Sequence, residues 1–244
     1  MEEIPAAHFG PACDWLKDSF NAFIRDSRLG FDTLKVSGTP RRFFVLATGI
    51  PFSQPDIVLE RTGPAVRIAY NEDGQLSPAA LGFLKKNGAS PSDVKVQQTD
   101  KGEFIAISIH QTGRPAAELL REWASNLLSA FPFPKQMIWR SRDLSFSRPV
   151  RWLCVLWGED DLHLESHGIP CGRVTYGNRY LSLDAPVSVP SPSAYLDILK
   201  SVSVLADREE RLSILNQGLE TSFDSPDLRR SEERRVGKEC TIQC

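Results

Sequence analysis

Apolar residues recur at helical spacing in two long stretches of this chain, and that pattern limits its fold more than any other feature. In residues 5–27, Phe9, Cys13, Leu16, Phe20 and Phe23 fall on one helical face. In residues 115–130, Leu119, Leu120, Trp123, Leu127 and Leu128 do the same. Elsewhere the apolar runs are short and rich in β-branched and aromatic residues: Thr33–Ser37, Phe43–Gly49, Val94–Gln98, Glu103–His110 and Trp152–Trp157. Helices that must each cover one apolar face, mixed with strands joined by turns, predict an α+β fold. The expected form is mixed, mainly antiparallel sheets with packed amphipathic helices.

Caps and turns refine this reading. Pro5 stands in the first turn of the first helix and Gly30 marks its end. Gly38-Thr39-Pro40 separates two strands, with Arg41 and Arg42 at the entry of the second. Side chains alternate along a strand, so at most one of these arginines is expected to reach a given ligand. Residues 51–77 are rich in Pro, Gly, Asn and Asp and read as irregular. Ser77-Pro78 starts a short helix that stops at Asn87-Gly88, and Asp100-Lys101-Gly102 turns a hairpin. Phe131-Pro132-Phe133-Pro134 breaks the second long helix. Trp152–Trp157 is expected to pair with Leu162–Ser166, and Val187–Pro190 reads as edge-like. Ser191 is expected to cap a helix to Val202. Val202–Ala206 reads as a last strand, and Asp207 with Glu210 as the capping box of a final helix.

With 244 residues the chain can bury a core, and one or two domains are expected. A net charge of −2 removes any global nucleic-acid signature and leaves only a local basic patch for such a partner. No apolar run approaches the ~18 residues that span a bilayer. The first residues lack a basic start and an apolar core, so the expected location is cytoplasmic. Cys13, Cys154 and Cys171 read as buried free thiols. Cys240 and Cys244 lack His or Cys partners, and His8, His110, His163 and His167 fall in no ligating pattern, so no metal is assigned. No catalytic constellation is visible.

Five basic or aromatic motifs remain. Thr39-Pro40-Arg41-Arg42 sets two guanidiniums beside a turn, a group suited to phosphate or to a carboxylate. Arg61-Thr62-Gly63-Pro64 has one glycine and no following Lys-Ser/Thr, so it reads as a turn rather than a phosphate loop. Lys101 sits at a hairpin tip. Phe133-Pro134-Lys135-Gln136-Met137-Ile138-Trp139 suits base stacking, or else an extended segment packing Phe133, Met137 and Trp139 into a core. Arg148-Pro149-Val150-Arg151-Trp152 puts two arginines before a strand, lining a cleft or forming internal ion pairs.

In this order, Gly38–Phe43, Arg61–Ala65, Thr99–Glu103, Phe133–Trp139 and Phe146–Trp152 resemble the N-terminal part of the β subunit of the two-subunit, bacterial-type glycyl-tRNA synthetase. Tyr176-Gly177-Asn178-Arg179-Tyr180 matches a stretch that in the family reads Gly-His-Arg-Phe, with Asn178 in place of the histidine. The resemblance implies a non-catalytic part of a glycine–tRNA ligase that supports ATP-dependent attachment of glycine to tRNA(Gly). Its partners would be the α subunit and tRNA(Gly), in an α2β2 heterotetramer when full length. ATP and Mg²⁺ are expected at the α subunit, with no cofactor bound by this chain. The residues expected to touch tRNA or the partner are Arg41, Arg42, Arg61, Lys101, Lys135, Arg148, Arg151 and Arg179.

The same resemblance makes residues 1–220 one N-terminal region, with a sub-boundary near residues 131–142. The family opens with a strand before the segment matched by Glu2–Ala6, so the sequence is expected to be a fragment. Residues 221–244 read as a disordered tail, and residues 230–244 resemble a translated sequencing-adapter oligonucleotide. Two rival functions stand beside this one: a stand-alone RNA-binding module and a purely structural assembly domain. Exposure of Arg41, Arg42, Arg148 and Arg151 on one face favours RNA, whereas burial against carboxylates favours structure.

Overall fold

The computed structural model describes residues 1–71, 75–99, 102–139, 144–164 and 166–222. Lys101 and the tail beyond residue 222, including the adapter-like segment, lie outside them. The chain forms two compact units. One comprises Met1–Phe52 and the chain from Pro115 onward, and the other is Ser53–Arg114. Residues 131–142 fall within the first.

Helix α1 (Ala6–Asp26) buries Ala12, Leu16, Phe20 and Ile24, an i, i+4 row. The buried stripe is therefore rotated from the predicted one, and Phe9, Cys13 and Phe23 flank it half-buried. The helix ends at Asp26, ahead of Gly30. Arg28 takes the left-handed conformation (φ 54°), and Leu29 N–H donates back to the Ile24 carbonyl at 2.9 Å.

Strands β1 (Thr33–Thr39) and β2 (Arg42–Thr48) pair antiparallel around the two-residue turn Pro40-Arg41. Gly38 faces Phe43 across the ladder, and a Cβ at Gly38 would run into the Arg42 carbonyl oxygen. The glycine of the first motif is there for backbone approach. The outer edge of β2 has no strand partner among the described residues.

The second unit corrects the irregular reading of residues 51–77. It holds β3 (Ile57–Ala65), α2 (Val66–Ala69), α3 (Pro78–Asn87), β4 (Val94–Thr99) and β5 (Gly102–Gln111). The sheet order is β3-β5-β4, antiparallel throughout. The ladder shifts between Thr62 and Ala65, so Gly63-Pro64 sits at an irregularity that a regular strand would not tolerate. Gly63 also lets Phe83 and Ile105 pack close to the backbone. Ser77 caps α3 through Ala80 N–H, and Gly88 ends it at φ 65°, both as predicted. Ala69, Ala80 and Ile105 form this unit's core.

The first unit resumes with α4 (Ala116–Ala130), whose Leu119, Ala124 and Leu128 are buried. After Phe131 the chain runs through short strands: β6 (Met137–Ile138) against β7 (Ser145–Phe146), then β8 (Leu153–Cys154), β9 (Leu156–Trp157), β10 (Asp160–Asp161), β11 (Cys171–Gly172), β12 (Val174–Tyr176) and β13 (Pro186–Ser188). Helices α5 (Tyr195–Ser201) and α6 (Arg208–Ser222) follow. The Trp152–Trp157 run is split, and among the described residues Leu162–Ser166 forms no ladder with it, although Leu162 N–H donates to the Val155 carbonyl at 3.2 Å. Gly158, at φ 59°, folds β10 straight back onto β9, while β8 pairs in parallel with β11. β12 and β13 pair antiparallel.

Ser191 makes no cap, because its hydroxyl meets that of Ser193, and a 3₁₀ turn at Pro192–Ala194 precedes α5. Residues 202–206 form no strand. Asp207 caps α6 through Glu209 N–H, but Glu210 pairs with Lys200 instead of closing the box. The core of this unit joins α1 and α4 to Phe131, Phe133 and Phe146. Phe131 and Phe133 stack at 5.3 Å, and Phe146 meets both edge-on.

Gly38→Ala is expected to destabilise the chain by about 1–3 kcal/mol, the scale of overpacking against backbone that cannot yield. Urea unfolding followed by tryptophan fluorescence would register this as a lower midpoint. An unchanged midpoint would mean the hairpin does not need that glycine.

Candidate functional site

The turn between β1 and β2 decides where the two adjacent arginines go. Arg41 lies in the turn, not in a strand, so alternation does not separate it from Arg42, and both reach the segment 175–184. Arg41 sets Nη1 and Nη2 at 3.3 Å from Asp184 Oδ1. Arg151 Nη1 donates to Asp184 Oδ2 at 2.6 Å and lies 3.6 Å from Glu2 Oε1. Arg179 Nη2 donates to Glu2 Oε2. Two carboxylates thus gather three of the predicted arginines, with Asp184 at the centre.

Arg42 takes another course. It donates to the Tyr176 carbonyl at 2.7 Å and to Thr175 Oγ1 at 3.4 Å, and its guanidinium lies over the Trp152 ring at 5.7 Å. Its Nε is buried and has no hydrogen-bond partner among the described residues. Arg41 and Arg42 are both buried, at 9% and 5% exposure. By the exposure criterion they fall on the structural side, whereas Arg148 is exposed and donates Nε–H to the Glu3 carbonyl at 3.2 Å.

Burial raises the Asp184 carboxyl, but the hydrogen bonds and charges of Arg151 and Arg41 together outweigh it and hold the group below its ordinary value. The Arg179 hydrogen bond does the same for Glu2 against a smaller burial effect. Burial lowers Arg42 and raises the Tyr195 phenol beside it, and each draws the other part of the way back. Burial also pushes the Cys154 thiol up to about 12 and Cys13 up to about 11. At neutral pH these are protonated and poor nucleophiles. Cys13, Cys154 and Cys171 are free but half-buried rather than buried. Among the described residues no cluster of His, Cys, Asp and Glu could hold a metal, and no helix is long and apolar enough to cross a membrane.

Next to Arg42 and Tyr195 lies an apolar cavity of about 470 Å³. The consecutive residues Phe43–Ala47 and Trp152–Gly158 line it, together with faces of α1 and α4. Phe133 packs in the core, as one reading of its motif expected. Met137 and Trp139 do not. They stand 57% and 38% exposed on the β6–β7 ribbon, and the Trp139 indole N–H donates to the Phe146 carbonyl at 3.0 Å. Lys135 is exposed beside the ribbon, and Arg61 is exposed on β3 of the other unit. Sequence reasoning missed Asp184, Glu2, Thr175 and Tyr195, since no periodicity links positions so far apart.

The fold is a helix-braced set of small, mostly antiparallel sheets, and its basic motifs are mostly bound to its own carboxylates and carbonyls. A profile described as the glycyl-tRNA synthetase beta subunit matches residues 1–241. The chain is 36% identical over 211 residues to the glycine–tRNA ligase beta subunit of Shouchella clausii, covering 86% of this chain and 30% of that protein. It is 34% identical over 221 residues to the beta subunit of Bacillus subtilis, covering 91% and 32%. The Moorella thermoacetica subunit is 33% identical over 214 residues, covering 88% and 31%. The chain belongs to the glycyl-tRNA synthetase beta subunit family, and it spans about a third of the length of these relatives.

Asp184→Asn is expected to lower stability by about 2 kcal/mol at pH 7, the scale of hydrogen bonds to charged groups. The Asp184 carboxyl is lowered in the folded state. Its contribution is therefore complete above the ordinary carboxylate range near pH ~4 and is lost as pH falls through the lower folded value. Unfolding curves of wild type and variant should differ at pH 7 and converge once the pH has fallen through the lowered folded-state value of Asp184. A gap that stayed constant with pH would rule out the charge as its source.

Proposed function

We propose that this chain is a non-catalytic part of a glycine–tRNA ligase, supporting ATP-dependent attachment of glycine to tRNA(Gly) through tRNA binding, contact with the α subunit, or both. The observation that carries this reading is the family relation, which extends over nearly the whole chain. The chemistry of the site is consistent with a supporting role: its charged groups are tied to one another, and its half-buried thiols are held protonated. ATP and Mg²⁺ belong in this reading to the α subunit, and the working assembly is a cytoplasmic α2β2 heterotetramer.

Within that role the basic residues divide. Arg41, Arg42, Arg151 and Arg179 hold the fold together, which favours the structural reading for that cluster. The outward surface of Lys135, Trp139 and Arg148 is better suited to the RNA backbone or bases. Trp139 reaches the Phe146 carbonyl, which brings its ring alongside the segment leading to Arg148. An exposed aromatic with exposed cations nearby is the combination that single-stranded RNA favours.

In the full-length β subunit assembled with its α subunit, Lys135→Glu with Arg148→Glu should weaken tRNA(Gly) binding. The slope of log affinity against log salt should flatten by about one for each lost phosphate contact. The thermal midpoint should stay within a degree or two, since both side chains are exposed. Unchanged binding and unchanged salt dependence would remove this surface from tRNA recognition.

A further inference from the structure

The apolar cavity has the outline of a single strand. Phe43–Ala47 and Trp152–Gly158 line it along consecutive residues. Side chains alternate across a strand, so a sheet face meets a cavity with every second residue. Consecutive residues reach it where the strand's edge is turned toward it. β2 has β1 on one side, β8 has β11 and β9 has β10, and among the described residues the other edge of each is unpaired. Two rows of backbone donors and acceptors therefore border the same apolar space, where such groups are costly to leave without partners.

The layers on either side of the gap are apolar as well. Phe43 and Val45 pack with the core of α1 and α4, and Phe44 and Leu46 with that of α5. A strand lying between them would meet apolar side chains on both faces, the setting of a fully buried central strand.

The first residues mark where such a strand enters. Ile4 N–H donates to the Pro40 carbonyl at 2.9 Å, and the Met1 amino group donates to the Arg41 carbonyl at 2.9 Å. Glu2 N–H donates to the Pro149 carbonyl at 3.0 Å. Residues 1–4 thus already bridge the two borders, just ahead of β2 and of Trp152. As the residue number falls from 4 to 1, its partner on the β2 side rises from 40 to 41, which is the antiparallel sense. Met1 is 6% exposed and lines the cavity. Burial, helped by the charges of Arg41, Arg42 and Arg151, pushes its amino group down to about 4. A peptide N–H in that place would bury no ionisable group. We propose that in the full-length β subunit the residues leading into Met1 form a strand that fills this cavity, antiparallel to β2 and hydrogen-bonded to both β2 and the Trp152–Gly158 segment. The strand is expected whether or not the chain takes part in tRNA charging.

Hydrogen exchange, read by mass spectrometry on the full-length subunit and on residues 1–244 alone, tests this. Peptides covering 43–47 and 152–157 should exchange at least tenfold more slowly in the full-length subunit. Equal rates would overturn the proposal. So would protection that appears only when the α subunit is added, or that grows with protein concentration, since the occupant would then be a partner or a second copy. In parallel, Ala47→Cys in the full-length subunit is combined with single cysteines at successive upstream positions and oxidised, which keeps the test decisive even where residues 1–244 do not fold alone. An antiparallel ladder steps back one residue for each residue forward, so the disulfide should form most readily about six residues before Met1. Absence of a crosslink along the upstream residues, or crosslinks with no preferred position, would assign the cavity to another part of the chain and overturn the proposal.

Discussion

Asp184 is the point on which the first unit converges. Its carboxylate receives Arg41 from the β1–β2 turn and Arg151 from the segment before β8, and Arg151 in turn borders Glu2. Stretches far apart in sequence are thereby fixed by one side chain, on a residue whose backbone is itself in the left-handed region. Protonating or removing that carboxylate would leave two guanidiniums facing each other with nothing between them. Such a group is costly to leave unpaired in partial burial, which is why its partners close around it rather than face water.

Much of this architecture was readable beforehand where local physics decides. The helix at Pro78–Asn87 has its serine cap, its proline and its glycine stop in the expected places, because those signals act within one turn. The β1–β2 and β4–β5 pairs follow from short runs and tight turns. Where tertiary contacts decide, the pattern misled. The stripe on α1 rotated because Ala12 and Ile24, ordinary in a sequence, face the core. The β3 strand hid behind Gly63-Pro64, which marks an irregular ladder rather than the end of one. Trp152–Trp157 offers no internal clue that Gly158 would fold its own neighbour back as partner.

The site was legible in one half only. Its cations stood out because arginine pairs in short motifs draw notice, whereas the acids that bind them are single residues in unremarked segments. Arg41 and Arg42 further escaped the rule of alternation because one belongs to a turn. Arg42, over Trp152 and against the Tyr176 carbonyl, serves the interior as much as any leucine does.

The outer edge of β2, unpaired among the described residues, has a practical consequence. Beside it lies apolar space lined by consecutive residues of two extended segments, so backbone donors and acceptors sit next to an unfilled greasy channel. Such an edge recruits any extended chain that presents itself, including another copy. With a net charge of only −2, there is little colloidal repulsion to keep copies apart. Solubility of this polypeptide should therefore be governed by protein concentration, and salts that strengthen apolar association should hasten its loss from solution.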